Sequence, residues 1–134
     1  EDYMADYNRA MNYQLSALNT TDNDTYKATS YIIIGGIYEK LDDYSKALDY
    51  FKKSLNLDLS FFGENHPEVA SGYYNIGYVY FAQGDYSKAL EYFEEVLKIR
   101  LSVYGENHSQ VSSIYDHIGE VYFAQKDYSI QTRI

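Results

Sequence analysis

Apolar residues recur along this chain at intervals of three and four, which is the spacing of one face of an α-helix. Near the middle of the sequence one such face is formed by Tyr73, Ile76, Gly77 and Tyr80. A second stripe with the same spacing is formed by Ala89, Leu90, Phe93, Val96 and Leu97. The short stretch AQGD lies between the two stripes, and its glycine marks a turn. The pattern therefore predicts two helices joined by a tight turn.

This helix pair is repeated along the chain. The segment DYSKALDYF at 43–51 returns as DYSKALEYF at 85–93, 42 residues later, and the connector FGENH at 62–66 returns as YGENH. A period of about 20–50 residues is typical of stacked arrays of short structural units. The connector predicts a left-handed C-cap at Gly63 and an N-cap at His66.

The repeat also predicts the organisation of the chain, which we treat as one array. Its predicted parts are a half-repeat holding only a second helix at 1–20, full repeats at 25–62 and 67–104, a half-repeat holding only a first helix at 109–126, and a stub at 127–134. We expect the last helix to end near Ala124. Because the chain opens at Glu1 without a methionine, we also expect it to be a piece of a longer protein.

The repeated residues resemble those of tetratricopeptide repeat (TPR) proteins. They are Tyr31, Ile34, Gly35, Tyr38, Ala47 and Phe51 in one unit, and Tyr73, Ile76, Gly77, Tyr80, Ala89 and Phe93 in the next. The 42-residue period resembles the longer variety found in kinesin light chains and nephrocystin-like proteins. The resemblance implies an all-α, right-handed superhelical solenoid of antiparallel helix pairs. Gln14 departs from the pattern, because the family has an aromatic residue there.

The composition of the chain argues against several classes of function. The net charge is −9, so the chain lacks the basic surface with which proteins bind nucleic acids. No apolar run approaches the roughly 20 residues that are needed to cross a bilayer. The chain has no cysteine, which suits a reducing, cytoplasmic setting. His66 and His108 occupy matching connectors, where capping accounts for them. We therefore predict no metal, no cofactor and no catalysis.

Candidate binding residues are first-helix side chains that face away from the helix partner. In the TPR family the first helices line the concave side of the array, so these side chains would form a groove. They are Ile32, Glu39, Tyr74, Asn75, Tyr78, Phe81, Asp116, His117, Glu120 and Phe123. Exposed aromatic patches mark binding surfaces. The alternative is that Phe81 and Phe123 pack against a neighbouring repeat.

The chemistry of this groove favours a basic, partly apolar peptide. Asn75 resembles the asparagine with which kinesin light chains and their relatives hold a peptide's backbone amide, since its side chain both donates and accepts. Glu39, Asp116 and Glu120 make the groove acidic. We therefore predict a protein-binding adaptor or scaffold whose partner peptide carries Lys or Arg beside apolar anchors.

A rival hypothesis is a structural or assembly role. The half-repeats would each expose an apolar face that a complete repeat covers, and arrays without polar caps associate. The expected self-association residues are Val111, Ile114, Ile118 and Val121. On this hypothesis the segment forms a homodimer through the C-terminal half-repeat.

Overall fold

The computed structural model describes the backbone of residues 3–133 and the side chains of residues 3–126. This part of the chain contains six α-helices and no strand. In chain order they are α1 (Tyr3–Thr20), α2 (Asp24–Lys40), α3 (Tyr44–Phe62), α4 (Pro67–Ala82), α5 (Tyr86–Tyr104) and α6 (Ser109–Arg133). The prediction of an all-α fold is confirmed.

The helices form two compact units. The first, residues 1–61, contains α1, α2 and nearly all of α3, and α2 packs against α1. Within it the buried Ser54 hydroxyl of α3 donates to the Ala28 carbonyl of α2 at 3.0 Å. The second unit, residues 62–134, contains α4, α5 and α6, and α5 packs against both of its neighbours.

In the pairs α2–α3 and α4–α5, a glycine of the first helix lies against an aromatic ring of the second. A Cβ atom on Gly35 would lie 2.7 Å from the ring of Phe51, and one on Gly77 would lie 2.8 Å from the ring of Phe93. Both distances are shorter than any ordinary carbon contact. The two rings are almost fully buried, so they cannot retreat into solvent. Gly77 therefore permits α4 and α5 to approach closely.

Tyrosine rings form a second contact in each pair, which we call the tyrosine trio. It consists of two first-helix tyrosines and one second-helix tyrosine: Tyr31, Tyr38 and Tyr50 in the first unit, and Tyr73, Tyr80 and Tyr92 in the second. The Tyr50 ring centroid lies 6.0 Å from that of Tyr31 and 5.8 Å from that of Tyr38. The corresponding distances in the second unit are 6.1 and 5.6 Å. The trios account for part of the chain's content of 18 tyrosines.

The connectors are capped as the sequence predicts. Gly63 has a φ of 82°, in the left-handed region. Nδ1 of His66 accepts a hydrogen bond from the Glu68 amide at 3.1 Å, while its ring stacks on Phe62 at 4.0 Å. Nδ1 of His108 likewise accepts from the amide two residues on, at 3.0 Å. Both histidines are therefore helix caps.

The last helix runs past its predicted end near Ala124. In the two earlier pairs a residue in the left-handed region stops the first helix: Asp42 with a φ of 62° and Gly84 with a φ of 82°. Lys126 occupies the equivalent position in α6. Lysine adopts this backbone conformation far less readily than glycine or aspartate, so the helix continues. The backbone of 127–133 belongs to α6 rather than to a separate stub, and the side chains of that segment lie outside the described residues.

Candidate functional site

An aromatic cleft is lined by side chains of α4 and α6 in the second unit. Its volume is about 690 Å³. The lining residues are Tyr78, Phe81, Gly119, Glu120, Phe123 and Ala124. Four of them were predicted from the sequence, and the structure brings these four together although they lie on different helices.

The aromatic residues contribute unequally to this cleft. Phe123 is 69% exposed and Tyr78 is 41% exposed, so both offer free apolar surface. Phe81 is half-buried, with its ring centroid 5.7 Å from Tyr86 of α5 and 6.3 Å from Tyr78. Phe81 therefore packs within its own helix pair, while Phe123 and Tyr78 remain available to a ligand.

Two further predicted residues join α4 to α6 instead of lining the cleft. The Tyr74 hydroxyl lies 3.3 Å from Nε2 of His117, and the two rings meet edge to face at 5.0 Å. The Tyr74 ring also stacks on Phe93 at 5.6 Å. Nδ1 of His117 lies 3.3 Å from a carboxylate oxygen of Glu120, a pair that is ionic only when the histidine is protonated. These contacts hold Tyr74 and His117 between the two helices, and the Glu120 carboxylate lies beside them at the cleft.

The cleft holds less negative charge than the sequence predicts. Among its lining residues the only carboxylate is Glu120, whose side chain is 65% exposed. Asp116 is exposed on α6 and Asn75 is half-buried on α4, and neither lines the cleft. Direct contact with a ligand charge is therefore expected at Glu120 first.

The remaining predicted groove residues, Ile32 and Glu39, lie on α2 in the first unit, and both are half-buried. Burial raises the pKa of the Glu39 carboxyl above its ordinary value, and the nearby charge of Lys40 partly opposes this shift. Burial thus makes the charged form of Glu39 costly.

Sequence reasoning missed two lining residues. Gly119 aligns with Gly77 in the repeat and was not among the predicted groove residues, yet a Cβ atom on Gly119 would meet nothing within 4 Å. Ala124 lies four residues after Glu120, on the same helix face, so the helical spacing itself would have found it. No comparable signal distinguished Gly119 from Gly77, because the difference lies in which helix faces each glycine.

The self-association residues were expected to be exposed to solvent, and for three of the four this expectation is wrong. Val111, Ile114 and Val121 are at most 1% exposed. They form the α6 stripe that is buried as α6 packs against α5, and Ile118 is half-buried. The lone helix was expected to present this face to solvent, but the preceding second helix covers it.

Two observations bear on other kinds of site. Among the side chains of residues 3–126, no three histidine, aspartate or glutamate side chains lie together as a metal site requires. Within the described part of the chain, no helix combines the length and apolar character needed to cross a bilayer.

Comparisons with known proteins identify the fold. A family model described as tetratricopeptide repeat matches residues 26–102 and again residues 68–129. The crystal structure of BtubC (BKLC) from P. vanneervenii is similar, with a TM-score of 0.76 and 18% sequence identity. The similarity covers 93% of this chain and 51% of that chain, so this chain spans about half the length of the structure it matches. At this identity the likeness shows the fold alone. No curated protein sequence matches the chain. The resemblance inferred from the repeated residues is confirmed.

Proposed function

Because the chain belongs to the tetratricopeptide repeat family, whose repeats mediate protein–protein interaction or assembly, we propose that it binds a partner peptide in the aromatic cleft. TPR chains are typically non-enzymatic scaffolds, and we assign no catalysis, metal or cofactor. The observation that supports the proposal is the exposure of Phe123 and Tyr78 beside the Glu120 carboxylate in one cleft. Aromatic residues so placed are typical anchors of binding surfaces.

The cleft chemistry defines the peptide. An apolar side chain of the peptide would pack on Phe123 and Tyr78, and a Lys or Arg would pair with Glu120. Asn75 lies outside the cleft lining, three residues before Tyr78 on α4, so its amide would hold the backbone of a peptide that extends along α4 beyond the cleft, as donor and acceptor. The chain's net charge of −9 would attract a basic peptide from a distance.

The test uses two matched labelled peptides, one with lysine beside a leucine and one with glutamate in place of the lysine. Fluorescence anisotropy should show binding of the lysine peptide, weaker at high salt because charge pairs near the surface are screened. Phe123→Ala should weaken binding roughly tenfold, as expected for loss of an interface anchor.

The matched control is Tyr26→Ala on α2, since Tyr26 is 67% exposed and thus as accessible as Phe123. It should leave the affinity unchanged. Equal affinities for Phe123→Ala and Tyr26→Ala, or a preference for the glutamate peptide, would contradict the proposal.

A second candidate function is assembly, in which the chain self-associates through its terminal helices as a homodimer. It is favoured by exposed tyrosines on the terminal helices, among them Tyr13 on α1 and Tyr115 and Tyr122 on α6, each more than half exposed. We place either function in the cytoplasm, since a chain without cysteine suits a reducing compartment.

A further inference from the structure

Helix α6 carries two members of a tyrosine trio without the third. Tyr115 and Tyr122 occupy the positions of Tyr73 and Tyr80, 42 residues further along. Each is 53% exposed, and among the described residues no second-helix tyrosine stacks between them. The pair thus presents the ring surface that Tyr92 covers in the preceding helix pair.

The glycine slot beside this pair is also open. In the second unit a Cβ atom on Gly77 would lie 2.8 Å from the Phe93 ring, whereas one on Gly119 would meet nothing within 4 Å. At Gly35 and Gly77 the space beside the glycine is filled by a ring of the next helix. At Gly119 the same space, which we call the Gly119 slot, is filled by none of the described residues.

Helix α1 carries the missing third tyrosine. DYNRAMNYQLSAL at 6–18 aligns with DYSKALDYFKKSL at 43–55, at an offset of 37, which places Tyr13 at the position of Tyr50. Tyr13 is 76% exposed, whereas Tyr50 is half-buried between its two partners. The chain thus holds both parts of a third trio on separate helices.

We propose that α1 of a second copy of this chain docks on α6 of the first, with Tyr13 inserted between Tyr115 and Tyr122. Each copy contributes a different surface, so the association is head-to-tail and does not stop at a two-fold dimer. This inference goes beyond the peptide cleft, because its α1 contact, Tyr13, plays no part in that cleft.

The basic residue that accompanies the trios is present as well. Lys46 Nζ lies 5.4 Å from the Tyr38 ring centroid, and Lys88 Nζ lies 5.8 Å from that of Tyr80. Arg9 stands at the position of Lys46 and would face Tyr122. Its present partner is Asp6, at 2.6 Å in an exposed pair, and such pairs contribute little to stability. Exchanging this pair for the cation–π contact should therefore cost little.

One residue of α1 differs from its counterpart in the contact between α2 and α3. Gln14 stands where Phe51 fills the slot of Gly35, so an amide would enter the Gly119 slot in place of a ring. The head-to-tail contact should therefore be weaker than the internal ones, and Gln14→Phe should strengthen it. A gain in association on Gln14→Phe is specific to this contact when filling the Gly119 slot removes it.

The experiment is a mixing test followed by sedimentation velocity. Tyr13→Ala disables only the α1 side of the contact, and Gly119→Leu fills only the α6 slot. Each variant alone should stay monomeric at concentrations where the unsubstituted chain associates. Their mixture should form a 1:1 heterodimer, because one variant keeps an intact α6 and the other an intact α1.

The size of the effects is set by the two aromatic contacts of Tyr13, whose loss should raise the dissociation constant roughly tenfold. Gln14→Phe should lower it by a similar factor, and Gly119→Leu should abolish that gain. Tyr26→Ala, at a comparably exposed tyrosine, should change nothing.

Three results would overturn the proposal: an unsubstituted chain that stays monomeric at millimolar concentration, association indifferent to Tyr13→Ala, or a mixture that fails to pair. The second result would favour a dimer between like α6 surfaces. Gly119 lines the cleft as well as the slot, so a docked α1 would compete with the peptide. Binding of the lysine peptide is therefore measured on Tyr13→Ala, which cannot dock through α1, and there it should be unchanged, so the peptide proposal is tested without the docking proposal.

Discussion

Gly77 and Gly119 occupy the same position of the repeat in different surroundings. Comparing the same substitution at both positions therefore measures the free energy that depends on the close approach of the neighbouring helix. Gly77→Ala would place a methyl group 2.8 Å from the ring of Phe93 and 3.1 Å from Cβ of Tyr92. Gly119→Ala would place the same group in open space. Both substitutions lie inside a helix, so both remove the same backbone penalty.

The expected magnitudes follow from these two terms. Replacing glycine by alanine in a helix interior stabilises by about 1 kcal/mol, and Gly119→Ala should show most of that gain. Forcing an extra methyl group into a packed contact costs about 1–3 kcal/mol, and Phe93 is only 1% exposed and has no room to yield. Gly77→Ala should therefore be neutral to about 2 kcal/mol less stable than the unsubstituted chain.

The difference between the two variants is the decisive quantity, because the helix term cancels. It should be about 1–3 kcal/mol, or several degrees in melting temperature for a chain of this size. Urea unfolding followed by circular dichroism at 222 nm measures it. Equal stability of the two variants, or a more stable Gly77→Ala, would refute the reasoning, and Gly77→Leu should be less stable still.

Two further predictions concern caps and charge. His66→Ala should destabilise the chain by about 0.5–2 kcal/mol, since the Glu68 amide loses its acceptor; His66→Asn should restore most of this in urea titrations, and equal losses would exclude a capping role. Glu39→Gln should stabilise the chain slightly at pH 7, within about 0.5 kcal/mol because Glu39 remains partly exposed. The folded-state pKa of Glu39 is raised, so its charged form costs stability above that pKa and nothing below the ordinary value of 4.5. The gain should therefore disappear in unfolding measurements at pH 4, and a gain that grew on acidification would contradict this assignment.

The helical repeat was predictable because it depends on the spacing of apolar residues that are close together in the sequence. The close approach at Gly77 follows from its place on the stripe, and the cap at His66 follows from the connector that precedes Pro67. The end of α6 was mispredicted for a local reason as well: Lys126 replaces the left-handed residue that ends each earlier first helix.

The site was less predictable, because it depends on which helices meet. The sequence placed Tyr78 and Phe123 on outward faces, and both line the cleft. It also placed Tyr74 in the groove, whereas the Tyr74 hydroxyl lies beside His117, 43 residues away. Val111 was expected on a free surface because a first helix was assumed to need its own second helix, yet packing against α5 buries it. Such outcomes depend on contacts between helices, which periodicity does not report.

The tyrosine trios also determine how this protein absorbs and emits light. The chain has no tryptophan, so its near-ultraviolet absorption and intrinsic fluorescence come mainly from tyrosine. In each trio the centroid of the central ring lies between 5.6 and 6.1 Å from those of the other two, close enough for their electronic transitions to couple. The near-ultraviolet circular dichroism should therefore carry a tyrosine signal from each closed helix pair. As a pair separates that signal should collapse, so the protein contains its own spectroscopic probe of repeat opening.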